Sequence, residues 1–133
     1  MTEIQYKNDV RISKEQFIQI LKASTLGERR PIEEPDRIDK MLKHADLIIT
    51  AWDEDLLVGV SRSITDFSYC AYLSDLAVHT KYQGKGIGKK LVEETRNNIG
   101  KDVMLFLFSA PKADSYYPHI GFHKKDAWII LPE

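Results

Sequence analysis

Cysteine is almost missing from this chain of 133 residues, in which Cys70 is the single example. One cysteine cannot form an intrachain disulfide, so we expect a protein of a reducing compartment. The N-terminal stretch MTEIQYKNDV also lacks the apolar core of a signal peptide, and no apolar run approaches the length of a membrane span. These absences predict a soluble cytoplasmic protein that has no membrane partner.

An excess of charge of one sign is missing too. The 19 basic residues are balanced by 20 acidic ones, which leaves a formal net charge of −1. A domain that binds nucleic acid through bulk electrostatics is usually clearly basic, so no nucleic-acid partner is expected. The four histidines show no metal-ligand spacing, and one cysteine cannot complete a structural zinc site, so no metal is predicted either.

Internal repeats, low-complexity tracts and linkers rich in Gly or Ser are absent as well. The length is usual for one compact domain, and a hydrophobic fraction of 43% is enough for a core. We therefore expect a single domain over residues 1–133.

The N-terminal third predicts a short edge strand and two helices. Residues 2–7 form the strand, and the stretch from Ser13 to Gln16 has the form of a capping box that starts a helix over 14–24. Pro35 suits the first turn of a second helix, whose apolar stripe consists of Ile38, Met41 and Leu42.

From Leu47 onward the apolar pattern changes to that of strands. The segments LIITAW, LLVGVSRSI and CAYLSDLAV, separated by short polar connections, predict an antiparallel meander. After a glycine-rich loop, the run IGKKLVEETRNNIG predicts a helix with one apolar face, formed by Ile87, Leu91, Thr95 and Ile99.

The C-terminal third predicts two more strands around a short helix. VMLFLFSA is almost continuously apolar, as in a strand buried on both faces. Because a helix connects it to LSDLAV, those two strands should be parallel. PKADSYYPHI is interpreted as a short helix, and GFHKKDAWIIL as a strand that closes the sheet. The fold class predicted is α/β (α+β), a mixed sheet with helices.

The glycine-rich loop, from Gln83 to Gly88, has the features expected of an anion-binding site. It fits neither the P-loop spacing nor the dinucleotide fingerprint G-x-G-x-x-G. It still precedes a helix whose first N–H groups lack acceptors, and glycines let a phosphate approach the backbone. Lys85, Lys89 and Lys90 add positive charge. The alternative is a tight turn that uses glycine for close packing.

The order of three segments resembles the GCN5-related N-acetyltransferase (GNAT) family. The family motif Gln/Arg-x-x-Gly-x-Gly/Ala corresponds to Gln83-Gly84-Lys85-Gly86-Ile87-Gly88, and it follows a strand that ends in Asp75-Leu76-Ala77-Val78. A family segment that ends in Tyr-x-x-x-Gly-Phe corresponds to the stretch from Tyr116 to Phe122. The resemblance is clear over residues 45–125, and further upstream it rests on element order only.

This resemblance implies that acetyl-CoA is the co-substrate and that a sheet with helices on both faces holds it. The two parallel strands would splay apart around the pantetheine arm. The pyrophosphate would lie on the backbone of Gln83, Gly84, Lys85, Gly86, Ile87 and Gly88, with Lys89 nearby. The backbone of Leu76, Ala77 and Val78 would bind the pantetheine and polarise the thioester carbonyl.

Tyr117 falls at the family's general-acid position, four residues before Gly121. A phenol, whose pKa is near ~10, can protonate a leaving thiolate, whose pKa is near ~8.5, and still be protonated at rest. The alternative is a packed aromatic residue of a Tyr-Tyr pair. Pro118 departs from the commoner charged residue of the family and is expected to shorten the helix that carries Tyr117.

The acceptor side is predicted from residues next to these segments. Asp75 precedes Leu76 and is a candidate to bind a cationic amine or to pass on its proton, unless it faces solvent. Arg29 and Arg30 are candidates to bind an acceptor carboxylate or phosphate, against the alternative of a solvated face. Tyr72 is a further candidate for contact with the acceptor.

The sequence therefore predicts an acetyl-CoA-dependent N-acetyltransferase in which a small-molecule or peptide amine attacks the thioester directly. Two alternatives stay open: a non-catalytic acyl-CoA sensor on the same fold, and a nucleotide-binding protein of another class. The acceptor and the general base are not identified by the sequence. A homodimer through the free strand edges is compatible with the sequence, which does not require it.

Overall fold

The structure is a computed structural model that describes residues 3–110 and 113–133. Within these ranges the chain forms five strands, three α-helices and short 3₁₀ turns, the last of which is Tyr117–Ile120. In chain order the strands and α-helices are β1 Gln5–Lys7, α1 Lys14–Ala23, α2 Pro35–Lys43, β2 Leu47–Asp53, β3 Leu56–Thr65, β4 Cys70–Val78, α3 Ile87–Ile99 and β5 Met104–Phe106. Thr2 of the predicted edge strand, and Pro111 and Lys112 of the predicted short helix, lie outside the described residues.

The strands of the described chain form one sheet in the order β1-β2-β3-β4-β5. The first four are antiparallel to their neighbours, and β4 and β5 are parallel. The parallel pair is connected through α3, as expected because parallel neighbours need a crossover connection. This arrangement confirms the predicted fold class and the predicted meander.

Helices cover both faces of the sheet. Phe17, Leu21 and Ile38 of α1 and α2 pack against Trp52, while Leu91 of α3 packs in a second cluster with Ala51. Successive residues of a strand point to opposite faces. The adjacent residues Ala51 and Trp52 therefore assign α3 to one face and the α1–α2 pair to the other.

Two helix predictions are confirmed at the level of single contacts. The Ser13 hydroxyl accepts a hydrogen bond from the Gln16 amide, and the Gln16 side chain accepts one from the Ser13 amide, which completes the capping box of α1. The predicted apolar face of α3 is buried at all four positions: Ile87, Leu91, Thr95 and Ile99. The capping box and the apolar periodicity were sufficient to predict these two helices, because each pattern lies within one short stretch of the sequence.

The two C-terminal strand predictions have different outcomes. VMLFLFSA contains the predicted strand parallel to β4, but this strand covers Met104–Phe106 only. Met104 is 56% exposed, so the predicted burial on both faces is wrong. The segment GFHKKDAWIIL does not close the sheet, because residues 122–133 contain no helix or strand and Trp128 is fully exposed. Among the strands of residues 3–110 and 113–133, none pairs with the outer edge of β5.

A bulge in β4 shapes the middle of the sheet. The pairing of β3 with β4 shifts register between Arg62, which lies opposite Asp75, and Ser63, which lies opposite Leu73. Ser74 is the extra residue of the bulge, and such a residue bends its strand and changes the direction of the neighbouring side chains.

In the described part of the chain, no helix is long and apolar enough to cross a membrane.

Candidate active site

The parallel strands β4 and β5 diverge soon after they meet. They pair over Cys70–Tyr72 and Met104–Phe106, three residues on each strand. Beyond Tyr72, β4 continues to Val78 in pairing with β3, while no strand among the described residues pairs with its other edge. The sheet therefore opens into a gap beside Leu76, Ala77 and Val78, where backbone groups can meet an extended ligand.

The glycine loop lies at the end of β4, where this gap opens. Gly84 and Gly86 have φ angles of 79° and 84°, a left-handed conformation that glycine adopts without steric cost. A Cβ atom on either would meet no atom of the described residues within 4 Å. At these two positions glycine serves the backbone conformation, and the space in front of it is open to a ligand.

Gln83 ties this loop to the strand. Its side-chain Nε2 donates to the Val78 carbonyl at 3.0 Å. The short turn before it is held by the Tyr82 hydroxyl, which donates to Asp53 on β2, and the Lys85 ammonium lies 5.2 Å from the centre of the Tyr82 ring. The loop is thus fixed to β4 and β2 in a defined position.

The N-terminus of α3 faces the loop with its donors available. The first helical hydrogen bond runs from the Lys90 amide to the Gly86 carbonyl, so the earlier amides of the helix have no helical acceptor. No side chain of the described residues caps the helix at Gly86, and its first turn carries no acid. Together with exposed Lys85 and Lys89, this arrangement suits a phosphate group.

The Tyr-Tyr segment, which follows β5 in the chain, lies next to the first turn of α3. A Cβ atom on Gly88 would lie 2.8 Å from the hydroxyl oxygen of Tyr116 and 3.8 Å from a methyl group of Val78. Gly88, the end of β4 and the segment after β5 therefore meet at one point. The structure brings together the two motifs that the sequence placed 28 residues apart.

Tyr117 lies behind Tyr116 and is partly buried. Its ring packs edge-to-face against Tyr116 at 5.5 Å and against Phe122 at 5.5 Å between ring centres. Burial, and secondarily the Tyr116 phenol, raise the pKa of Tyr117 above its usual value of 10.0. The hydroxyl therefore keeps its proton at neutral pH, as a hydrogen-bond donor or general acid requires. Pro118 leaves a single 3₁₀ turn, Tyr117–Ile120, at this position.

Asp75 occupies the centre of a buried ion cluster on the α1–α2 face. Its side chain is fully buried, and its two carboxylate oxygens accept hydrogen bonds from Nε of Arg30 and Nε of Arg62. Arg62 also donates to the Met41 carbonyl of α2 and to the Ser74 hydroxyl. The predicted part of Asp75 in amine binding or proton transfer stays a prediction; the contacts in the structure are with the two guanidinium groups.

Arg29 and Arg30, adjacent in sequence, are separated by their surroundings. Arg29 is exposed, while the Arg30 side chain is 21% exposed and turns inward to Asp75. Arg30 also donates to the Ser74 carbonyl at 2.7 Å and to the Arg29 carbonyl at 2.8 Å. The connection between α1 and α2 is thereby fastened to the bulge of β4.

Tyr72 stands between this cluster and β5. Its ring is stacked on Phe106, with ring centres 5.2 Å apart and planes 13° apart, and it meets Phe108 edge-on. Phe106 and Phe108 are 38% and 47% exposed. The predicted acceptor residues Asp75 and Tyr72 thus lie on the bulged strand β4, Arg30 is bound to that strand, and Arg29 is exposed next to Arg30.

Sequence reasoning missed Arg62, Ser74 and the contact of Tyr116 with Gly88. A charged residue inside the apolar strand LLVGVSRSI was a usable signal for Arg62, because arginine is rarely fully buried without a partner. The bulge at Ser74 and the position of Tyr116 next to Gly88 depend on tertiary packing, so no local sequence pattern indicates them. Within residues 3–110 and 113–133, no group of three or more His, Cys, Asp or Glu could hold a metal ion.

Comparisons with known proteins agree with this geometry. The chain is 29% identical over 97 residues to an uncharacterized N-acetyltransferase ycf52 of Gracilaria tenuistipitata var. liui, which covers 71% of this chain and 53% of that protein. It is 32% identical over 112 residues to an uncharacterized N-acetyltransferase, ycf52-like, of Prochlorococcus marinus, over 79% of this chain and 57% of that protein. The chain thus spans about half the length of these curated relatives.

A solved structure shares the fold over nearly the whole chain. A GNAT family acetyltransferase of Streptococcus pneumoniae superposes with a TM-score of 0.76 and 25% identity, over 98% of this chain and all of that one. The family model described as the acetyltransferase (GNAT) domain matches residues 17–129, which include the glycine loop, the gap beside β4 and the Tyr-Tyr segment. The chain therefore belongs to the GNAT family of acetyltransferases.

Proposed function

We propose that this protein is an N-acetyltransferase that transfers the acetyl group of acetyl-CoA to an amine. The observation that carries the proposal is the meeting of Gly88, Val78 and Tyr116 at the mouth of the gap between β4 and β5. A binding loop, an open strand edge and a tyrosine pair converge there, as a thioester donor would need.

The donor side would be held mainly by backbone groups. The pyrophosphate would lie on the loop from Gln83 to Gly88, where Gly84 and Gly86 leave open space and α3 offers uncapped amides. Lys85 and Lys89 would supply countercharge. The open edge of β4 at Leu76, Ala77 and Val78 would hydrogen-bond the pantetheine and polarise the thioester carbonyl.

The chemistry needs no covalent enzyme intermediate. The neutral acceptor nitrogen would attack the carbonyl carbon and release one proton to solvent. The carbon–sulfur bond would break, the departing thiolate would take the proton of Tyr117, and the phenolate would regain a proton from solvent. A phenol whose pKa is raised by burial remains a proton donor throughout the neutral range. Holding the amine next to the thioester would itself contribute a large part of the rate.

The acceptor would enter on the face that carries Asp75, Arg30 and Tyr72. Two guanidinium groups share one carboxylate in this cluster, so it carries a surplus of one positive charge. We propose that Asp75 holds Arg30 in place, and that Arg30, with Arg29 at the rim, attracts an anionic group of the acceptor. Tyr72 would contact the acceptor's apolar part. Cytoplasmic location and dimerisation stay predictions.

Calorimetric titration tests the donor. The purified protein should bind CoA, and ATP should bind far more weakly or not at all. Binding of ATP together with indifference to CoA would contradict the proposal and support a nucleotide-binding protein of another class. CoA binding without acetylation of any amine in a library screened by mass spectrometry would support the sensor instead.

Replacement of Tyr117 by phenylalanine tests the catalytic assignment. Loss of a general acid should lower kcat by about 10²-fold, while the dissociation constant for CoA changes little. Tyr6→Phe is the matched control, because Tyr6 lies on β1 at the opposite edge of the sheet. Equal turnover of Tyr117→Phe and wild type would remove Tyr117 from the mechanism.

A further inference from the structure

The three glycines of the loop have different surroundings. Gly84 and Gly86 have positive φ angles and open space where a side chain would begin. Gly88 lies inside α3 with an ordinary helical backbone, so alanine would fit its conformation. At Gly88 a side chain would instead collide with a neighbouring residue.

The excluding atom belongs to Tyr116. A Cβ atom on Gly88 would lie 2.8 Å from the tyrosine hydroxyl oxygen, closer than real Cβ contacts, but 3.6 Å from the ring carbon that carries this hydroxyl, which is ordinary van der Waals contact. The next atom, a Val78 methyl carbon, is 3.8 Å away. The clash thus depends on one oxygen atom, and its removal would make room for alanine.

We infer that Gly88 is needed in this chain because a side chain at this position would displace the Tyr116 hydroxyl. Tyr116 is thereby a positioning residue for Tyr117. The Tyr116 hydroxyl lies at the first turn of α3, and the Tyr116 ring meets the Tyr117 ring edge-to-face, with ring centres 5.5 Å apart. Phe122 holds the other side of Tyr117 at the same separation. A displaced Tyr116 would remove one of the two aromatic contacts that set the angle of the Tyr117 ring. The part of the inference that concerns Tyr117 rests on the proposed function.

The test compares wild type with Gly88→Ala, Tyr116→Phe and the double variant. Gly88→Ala should lower kcat by about tenfold or more, because small misplacements of a catalytic group are costly. It should change CoA affinity by less than about threefold, since alanine keeps the backbone amide of this position as a phosphate donor and its Cβ atom would meet Tyr116. In the Tyr116→Phe background, the same substitution should cost less than about threefold in kcat, since coupled sites are not additive. Tyr6→Phe combined with Gly88→Ala is the matched control, and it should give no rescue because Tyr6 lies on β1 at the opposite edge of the sheet and is not among the residues closest to Gly88.

Two outcomes would overturn the inference. If Gly88→Ala is equally harmful in both backgrounds, the glycine does not serve Tyr116. If it weakens CoA binding as much as it lowers kcat/KM, the glycine serves the ligand.

Thermal unfolding separates failure of this inference from failure of the proposed function. The contact with Tyr116 predicts that Gly88→Ala changes Tm more favourably in the Tyr116→Phe background than in the wild-type background, because alanine is the better helix former once the clash is gone. This difference does not depend on any activity. A protein that shows the difference but acetylates nothing would refute the proposed function alone, and equal Tm shifts in the two backgrounds would refute the contact itself.

Discussion

Asp75 is bound by guanidinium groups from two different parts of the chain. Arg62 is its cross-strand neighbour on β3, and Arg30 comes from the connection between α1 and α2. A buried charge is tolerated when it is paired and hydrogen-bonded, and removal of one partner leaves the others uncompensated. The three side chains should therefore behave as one unit.

Replacement of Asp75 by asparagine tests this unit. The variant keeps the shape but leaves two guanidinium groups without a countercharge, so the free energy of unfolding should fall by about 3 to 5 kcal/mol. Urea unfolding measures it. The control is Glu34→Gln, which breaks the exposed pair with Arg37 and should cost less than about 1 kcal/mol. An equally small loss for both variants would show that the buried cluster is not a stabilising unit.

The arginine partners of Asp75 could not be read from the sequence. Asp75 is separated from Arg62 by 13 residues and from Arg30 by 45. Nothing local specifies such pairings, which form only when the strand register and the loop are both in place. By contrast, the identities of Gln83 and Tyr117 were visible because each belongs to a short motif with fixed spacing.

At the scale of elements, β5 and the tail that follows it define an unfinished edge of the described sheet. Phe106 and Phe108 are half-exposed beside Tyr72, and Trp128, Ile130 and Leu131 of the tail are exposed by 75% or more. Side chains in such positions contribute little to stability, whatever their hydrophobicity.

Truncation after Asp126 should consequently have little effect on the fold. The seven residues removed include the exposed tail side chains, so we expect Tm to change by less than about 2 °C. The truncated protein also retains Trp52, which is 8% exposed, as its single tryptophan, so acrylamide should quench its fluorescence much less than that of the full chain. A large loss of Tm would show that the tail packs against the sheet, as the sequence had predicted.

The contrast between α3 and β5 explains where sequence patterns fail. The four-residue spacing of Ile87, Leu91, Thr95 and Ile99 describes a face that only a helix can bury together. The run VMLFLFSA carries no such geometric information. Its hydrophobicity indicates that the segment is buried. Whether the outer edge of β5 is covered depends on a neighbouring strand, which the tail does not supply.

For the molecule as a whole, β4 organises the two sides of the site. Asp75 and Ala77 point to the face of α1 and α2, while Leu76 and Val78 point to α3. One strand thus connects the proposed acceptor side with the proposed donor side. A single domain over residues 1–133 stays a prediction, since the family match covers residues 17–129.

Alkaline pH should destabilise the folded chain. The pKa values of Tyr6, Tyr82, Tyr116 and Tyr117 are raised in the folded state, by burial for Tyr6, Tyr116 and Tyr117 and by the Asp53 hydrogen bond for Tyr82. Above the unfolded pKa of about 10, the unfolded chain loses phenolic protons that the folded chain keeps, so stability falls as pH rises. Their contribution is fully present below that pH.

Urea midpoints between pH 8 and pH 11 measure the effect. We expect a constant contribution up to about pH 9.5 and a decline above about pH 10. Tyr117→Phe should decline less steeply than wild type, and comparison at equal pH cancels the titration of the lysines. Identical slopes for the two proteins would contradict the raised pKa of Tyr117.

The attachment of Arg30 to β4 has a consequence for how proteins of this family diversify. The connection between α1 and α2 lies beside the proposed acceptor side, and its conformation is fixed through Asp75 and the carbonyl of Ser74. A loop transplanted from a relative would keep this attachment only if it carried an arginine at the position of Arg30. Change of acceptor specificity by recombination in this chain should therefore require exchange of the loop and the bulged strand together, as one inherited module.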